Sequence, residues 1–408
     1  MTDASVSLII VSRHRTASLL RTIKAVQLQD HAPLELIIVA DPAAADAVQA
    51  LRLPIKVVPF DQANISAARN AGLAQAAGDL VAFLDDDAIP EPTWISRLTR
   101  PFANPDVRAA TGFVRGRNGI SDQWRASDVD QFGWDHAISV DRSAVTLLAG
   151  TSQRAVKLQG TNAAFRRTDL LAMGGFDPAF TFFLEDADIS LRLADLGGLT
   201  AVMPDAVVQH GFAASARRRA DRVPLCLRQI GASAACFLRR HATGVNFDVQ
   251  RADWRHAQKL RVLGHMVHGG LEPRDIGPLL ESFDKGWADG LTGDLLPLLP
   301  LTSPQTGFVP LETMARDGVL IAGRRWQKRS LMQQAGRAAA EGRIATVICL
   351  SPTTLFHHHR FTSGGYWLQQ GGIFGKSLRD QPILRKVGFN LRVQEESVRI
   401  SKTRPVGG

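Results

Sequence analysis

Hydrophobic positions in the first 210 residues come in short unbroken runs, separated by stretches of helical period. Val6-Ser7-Leu8-Ile9-Ile10-Val11 is short, β-branched and almost wholly apolar, the pattern of a strand covered on both faces. Thr16 to Gln29 places Leu19, Leu20, Ile23 and Val26 on one helical face. Leu34 to Ala40 predicts a second strand, Ile55 to Val58 a third between two prolines, and Leu80 to Leu84 a fourth. The alanine-rich Asn64 to Ala77 predicts a helix between the last two. Strands alternating with helices predict an α/β fold, a mostly parallel Rossmann-like sheet flanked by helices. Such sheets bind ligands outside the carboxyl ends of their strands. Three polar clusters fall at those ends: Ser12-Arg13-His14-Arg15, Asp41 and Asp85-Asp86-Asp87.

Beyond residue 211 the periodicity weakens. Val223 to His241, holding Cys226 and Cys236, predicts an amphipathic helix, as do Asp253 to His268 and Ala335 to Glu341. Thr346 to Leu350 predicts a strand, and residues 270–310 are rich in Pro, Gly and Leu. The expected division is an α/β domain over 1–240 and a basic, mainly helical region over 241–408.

Charge sharpens that division. Residues 1–210 hold 19 Lys/Arg against 24 Asp/Glu, and residues 211–408 hold 29 against 15, so a net −5 precedes a net +14. An acidic half suits a metal, and a basic half suits a polyanionic partner such as anionic membrane, a diphosphate lipid or an acidic glycan. Plain solubility accounts for the basicity equally well. With one tyrosine and no stacking or DNA-binding motif, nucleic acid is not an expected partner. Three scattered cysteines, no signal-like N-terminus and no run of membrane-spanning length predict a cytoplasmic protein, with peripheral contact on the inner face of the plasma membrane.

Three adjacent carboxylates repel one another unless a cation compensates. A divalent Mg²⁺ or Mn²⁺ needs oxygen ligands and tolerates one or two carboxylates plus phosphate oxygens. The triplet alone is equally an acidic turn before the next helix; at the end of Val81-Ala82-Phe83-Leu84, the metal reading is favoured. Glu185-Asp186 opens a probable helix, where acids favour the macrodipole, but where a carboxylate facing a cleft can also deprotonate an attacking hydroxyl. Adjacent His357-His358-His359 point in different directions, so a metal site from that run is poor geometry.

The ordered motifs resemble family 2 glycosyltransferases of the GT-A, nucleotide-diphospho-sugar transferase fold. They are Ser7 to Arg15, Glu35 to Asp41, Asn64 to Gly72, Gly78 to Asp87, Ile89 to Pro92, Gly160 to Arg167, Gly174 to Asp177 and Glu185 to Arg192. The resemblance covers roughly residues 5–240. It implies that Asp41 accepts a hydrogen bond from the nucleotide base, that Val11 and Arg13 line the base pocket, and that Arg69 lies near the base or diphosphate. Asp85, Asp86 and Asp87 would form the donor site, Asp85 and Asp87 as the Asp-x-Asp motif and Asp87 foremost on the metal. His210 would approach the metal or diphosphate. Asp186, with Glu185 beside it, would be the catalytic base. Arg217-Arg218-Arg219 reads either as a diphosphate clamp or as a solvated loop. The chain departs from the family pattern at Ala40, where a second aspartate is common, and at Arg13 and His14. Arg325-Trp326 matches part of a Gln-x-x-Arg-Trp motif of processive synthases, but Ala322 replaces the glutamine, so a processive polymerase is not expected.

The function this implies is inverting, non-processive, metal-dependent transfer of a sugar from a nucleotide-diphosphate donor to a glycan or lipid-linked acceptor in surface polysaccharide or lipopolysaccharide synthesis. Two alternatives stand beside it. One is a catalytically silent nucleotide- or glycan-binding scaffold. The other is a sugar nucleotidyltransferase, which would lack its glycine-rich, lysine-bearing loop here. The glycine- and aromatic-rich segment through Gly364-Gly365-Tyr366-Trp367 to Gly372 is expected to be a loop that contacts the acceptor.

Overall fold

A computed structural model describes residues 4–211, 217–219, 221–302 and 306–407. The opening apolar run forms β1 (Val6–Ser12). It is followed in strict alternation by α1 (Thr16–Val26), β2 (Leu34–Ala40), α2 (Pro42–Gln49), β3 (Ile55–Pro59), α3 (Ile65–Leu73) and β4 (Leu80–Asp85). β1 pairs in parallel with β2 on one side and β4 on the other, and β2 pairs in parallel with β3. The chain therefore builds outward from β1 and then returns to its other flank. That reversal between β1 and β4 opens a crevice at the carboxyl ends of the strands.

The sheet continues past β4 through strand Ala163–Arg166, antiparallel to it, then strand Val107–Arg115, then strand Leu199–His210. Two successive reversals and a parallel pairing bring the carboxyl end of Leu199–His210 to the same edge as that of β4. Alternation along β1 gives the sheet two buried faces. Leu8 and Ile10 pack with Leu19 and Ile23 of α1, while Ile9 packs with Ala68 and Leu73 of α3. Each such side chain withdrawn from water contributes about 1.5–3 kcal/mol, so the register that fixes the strand ends is strongly held.

The C-terminal region is helical over Phe247–Val267 and Pro273–Thr292, which pack with Arg228–His241 around Phe237, Trp254, Phe283 and Trp287. Cys226 lies before that first helix, not within it. Residues beyond 310 add a four-stranded sheet of which the sequence reading anticipated one strand. Gly318–Arg324, Ile344–Ser351 and Trp367–Gly372 run parallel, and His358–Phe361 pairs antiparallel with the last. The expected acceptor loop is thus largely strand Trp367–Gly372, with Trp367 buried. The second sheet is tied to the first by buried charge. Arg404, fully buried, donates to Glu91, which also accepts from Arg115, and a second Arg404 contact reaches His359. Among the described residues no helix is long and apolar enough to cross a membrane.

Candidate active site

β4 ends on Asp85, and the chain turns through Asp86 and Asp87 into β5 (Ala88–Pro90), which pairs with the end of strand Leu199–His210. The pairing carries His210 to the two flanking aspartates. His210 Nε2 lies 3.1 Å from Asp87 Oδ1 and 3.6 Å from Asp85 Oδ2. Each of the three offers a ligand atom, all within 4.8 Å of one another, and among the described residues this is the one group of its kind. Two carboxylate oxygens and one imidazole nitrogen, Asp87 and His210 both buried, suit a divalent ion. The mixed oxygen–nitrogen set suits Mn²⁺ better than Mg²⁺.

Asp86, expected in the donor site, points elsewhere. It is fully buried, accepts from Ser12 Oγ at 2.6 Å and pairs with Arg15 Nη2 at 2.8 Å. Burial pushes its carboxyl up to about 7, with Asp87 and Asp85 adding to the rise and Arg15 and Ser12 opposing it. Its role is to hold Arg15, whose Nη1 reaches Asp87 Oδ2 at 3.3 Å. Asp41 is held by two backbone donors. Its Oδ1 caps α2 by accepting from Ala44 N at 3.3 Å, and its Oδ2 accepts from His14 N at 2.7 Å. Burial raises its pKa, but these backbone donors and His14 outweigh it, and the carboxyl sits below its usual range. It fastens the β1–α1 turn, where His14 adopts a left-handed φ of 58°, and it does not line the cavity.

That cavity, about 400 Å³, opens beside the metal-capable group. Val11, Arg13, His14, Phe60, Asp85 and Phe182 line it, together with Arg217 and Arg218. Arg13 Nε lies 2.7 Å from Asp61 Oδ1. The arginine run divides. Arg217 lies over the Phe182 ring at 4.3 Å, whereas Arg219 turns away to Asp221. Burial lowers the Arg218 pKa and Asp87 opposes that fall, which places this guanidinium's charge beside the acidic cluster.

Helix Glu185–Asp195 brings the second carboxylate pair. Phe183 and Leu184 precede it with φ of 77° and 65°, two consecutive left-handed residues that are not glycine. Each costs on the order of 1–3 kcal/mol, a strain that persists only where surrounding packing imposes it, and Leu184 is buried in the helical core. Arg69 of α3 links the two carboxylate groups, with Nη1 3.4 Å from Glu185 Oε1 and Nη2 3.8 Å from Asp85 Oδ1. It passes so close to Gly160 that a Cβ there would stand 2.4 Å from Nη2, so any larger residue would displace this guanidinium. Burial, then the charge of Asp186, pushes Glu185 up to about 7, with Arg69 opposing. Asp186 Oδ1 accepts from the backbone of Ala187 at 2.8 Å. Lys157 is partly buried and ion-paired to Asp135 at 2.8 Å. Burial disfavours its ammonium, but the charges of Asp186, Asp135 and Glu185 outweigh this and raise its pKa.

The sequence reading gave no role to Arg15, Phe60, Lys157 or Phe182. Phe60 directly follows the carboxyl end of β3, so the strand-end rule could have found it. Lys157 carries no local signal.

A family model described as "Glycosyltransferase like family 2" matches residues 4–232, more than half of the chain. The chain belongs to glycosyltransferase family 2. It is 32% identical over 185 residues to the glucosyl-dolichyl phosphate glucuronosyltransferase of Haloferax volcanii, covering 42% of this chain and 55% of that one. It is 33% identical over 126 residues to the succinoglycan biosynthesis protein ExoM of Rhizobium meliloti, covering 28% and 40%. The matches thus span about half or less of these relatives' lengths. Among solved structures, a mannosyltransferase from Pyrobaculum calidifontis in complex with GDP-Man and Mn²⁺ is similar at a TM-score of 0.43 and 16% identity, over 72% of this chain and 88% of that one.

Proposed function

We propose that this family 2 member is an inverting, non-processive glycosyltransferase that moves a sugar from a nucleotide-diphosphate donor to a glycan or lipid-linked acceptor in surface polysaccharide or lipopolysaccharide synthesis. The observation that carries the reading is the meeting of Asp85, Asp87 and His210 beside a cavity that Asp85 lines, with Arg69 linking the same Asp85 to Glu185, the neighbour of Asp186.

In this reading residues 1–240 are the catalytic domain, and 241–408 support it. Asp85, Asp87 and His210 hold Mn²⁺ or Mg²⁺, which when bound neutralises charge on the departing nucleotide diphosphate. Arg217 and Arg218 face the same phosphates from the opposite wall. Val11, Arg13 and Phe60 enclose the base. Asp186 takes the proton of the acceptor hydroxyl. Glu185 is fixed by Arg69 and keeps that arginine between donor and base, so it positions the site.

The donor claim is tested by thermal shift with UDP and GDP, each with and without Mn²⁺. At least one should stabilise the protein in a Mn²⁺-dependent way, and Asp87→Asn should abolish that dependence. Indifference to every nucleotide, or an unaltered response in the variant, overturns it.

A further inference from the structure

The second sheet has a crevice of its own. Strands Gly318–Arg324, Ile344–Ser351 and Trp367–Gly372 are parallel, and helix Lys328–Ala340 crosses between the first two. At their carboxyl ends lies an open cavity of about 610 Å³. Ser351, Gln370, Arg325, Lys328, Leu355 and Phe356 are among the residues that line it. No carboxylate lines it. Among the described residues, neither Arg325 nor Lys328 has an acidic partner within ion-pairing distance, although the chain pairs most of its buried arginines. Leu355 and Phe356 are 55% and 52% exposed, large apolar side chains left in water at the edge of a cationic hollow.

We propose that this cavity is a second ligand site, separate from the donor crevice, which takes a phosphate-bearing organic molecule. The phosphate meets the Arg325 fork and the Lys328 ammonium, with the Gln370 amide able to donate a further hydrogen bond. The less polar part of the ligand covers Leu355 and Phe356. The two crevices are close in the chain's architecture. Gln209, next to His210, donates to the His359 carbonyl at 2.7 Å, and the neighbouring His358 lines the second cavity.

One chemistry has two sources, an isoprenoid-linked phosphate and a soluble sugar phosphate. Calorimetric titration of the full chain with farnesyl diphosphate and with glucose 1-phosphate separates them. At least one should bind, and Arg325→Ala/Lys328→Ala should weaken it about tenfold or more, since two charge-assisted contacts are lost. Asp85→Asn should leave it intact, which distinguishes this site from the donor crevice and keeps the outcome independent of the proposed sugar transfer. A clear preference for the farnesyl probe assigns an isoprenoid ligand, and equal binding assigns a soluble one. Both substituted residues are at least partly exposed, so an unchanged melting temperature should verify folding. If neither probe binds, or if binding survives the double substitution or falls with Asp85→Asn, the proposal is overturned.

Discussion

Two sheets in one chain, each with a run of parallel strands, obey the same rule and prepare opposite sites. The first ends its central strands on Asp85, Asp87 and Asp41; the second ends its own beside Arg325 and Lys328. In the first, nearly every charge is answered by another: Arg15 by Asp86 and Asp87, Arg69 by Asp85 and Glu185, His210 by Asp87. In the second the two cations have no counter-charge among the described residues. Topology supplies a crevice in both cases, and the residues that follow the strand ends decide what enters it. A crossed set of charges inside one crevice suits chemistry, because it fixes groups before the substrate arrives. An unanswered pair of the same sign suits binding alone.

The largest effect that would break this comparison lies at the acidic crevice. Asp186→Asn removes the base while keeping shape and hydrogen-bonding capacity. Turnover should fall by about 10²–10⁴-fold, the range for a lost general base, while Mn²⁺-dependent nucleotide stabilisation persists. Near-normal sugar transfer by the variant, followed by release of free nucleotide diphosphate, would remove Asp186 from its role. The acidic crevice would then be a binding site like the other.

The next effect concerns the tie between the two sheets. Arg404 is buried against Glu91 at 2.9 Å and stacks over the Trp367 ring at 4.3 Å. Arg404→Ala leaves one buried carboxylate short of a partner, which costs about 3–5 kcal/mol in general. Because Arg115 still holds Glu91 at 2.8 Å, the lower end, about 3 kcal/mol, is expected. Urea unfolding of the variant measures it, and a loss below about 1 kcal/mol would mean that the sheets are held by apolar contact alone. His359 offers a second readout. Burial, then Arg404, keeps its pKa well below the usual value, so the substitution should let it rise.

The sequence carried unequal amounts of this molecule. β1, β2 and β4 were legible because strands buried on both faces must be continuously apolar, and their ends then located Asp85 and Asp87. Asp86 is set apart from its neighbours by the turn that follows β4, which directs its carboxyl to Ser12 and Arg15 while Asp85 and Asp87 meet His210. Asp41 carries a second local task that its place at a strand end does not announce, because the same acid also begins a helix and caps α2. The second sheet was hard to read. Gly318–Arg324 is only partly buried for most of its length, and Trp367–Gly372 ends in two glycines, so neither presents the unbroken apolar run that marked β1 and β2. Helix Pro273–Thr292 was hidden in a segment whose Pro and Gly content resembles a linker, although Pro273 sits at its first turn, where proline is well tolerated.

The smallest effect sharpens the cost of crowding acids into the first crevice. Glu185 has an ordinary value of 4.5, and in the fold it is pushed up to about 7, first by burial and then by Asp186. A carboxyl that holds its proton more tightly when folded makes its full contribution to stability below its unfolded pKa. That contribution is lost as pH rises toward the folded value. Unfolding free energy should therefore decline between pH 4.5 and about 7 by at most about 1.4 kcal/mol per pH unit from this group. Glu185→Gln, neutral throughout, should lack that decline and exceed the native protein in relative stability at pH 8. Asp86 declines over a similar window, but it is present in both proteins and cancels in the difference. Stability curves that run parallel from pH 4.5 to 8 would show that Glu185 is ionised in the fold at no cost. Arg69 would then have neutralised it completely, and the acidic crevice would hold no more electrostatic strain than the cationic one.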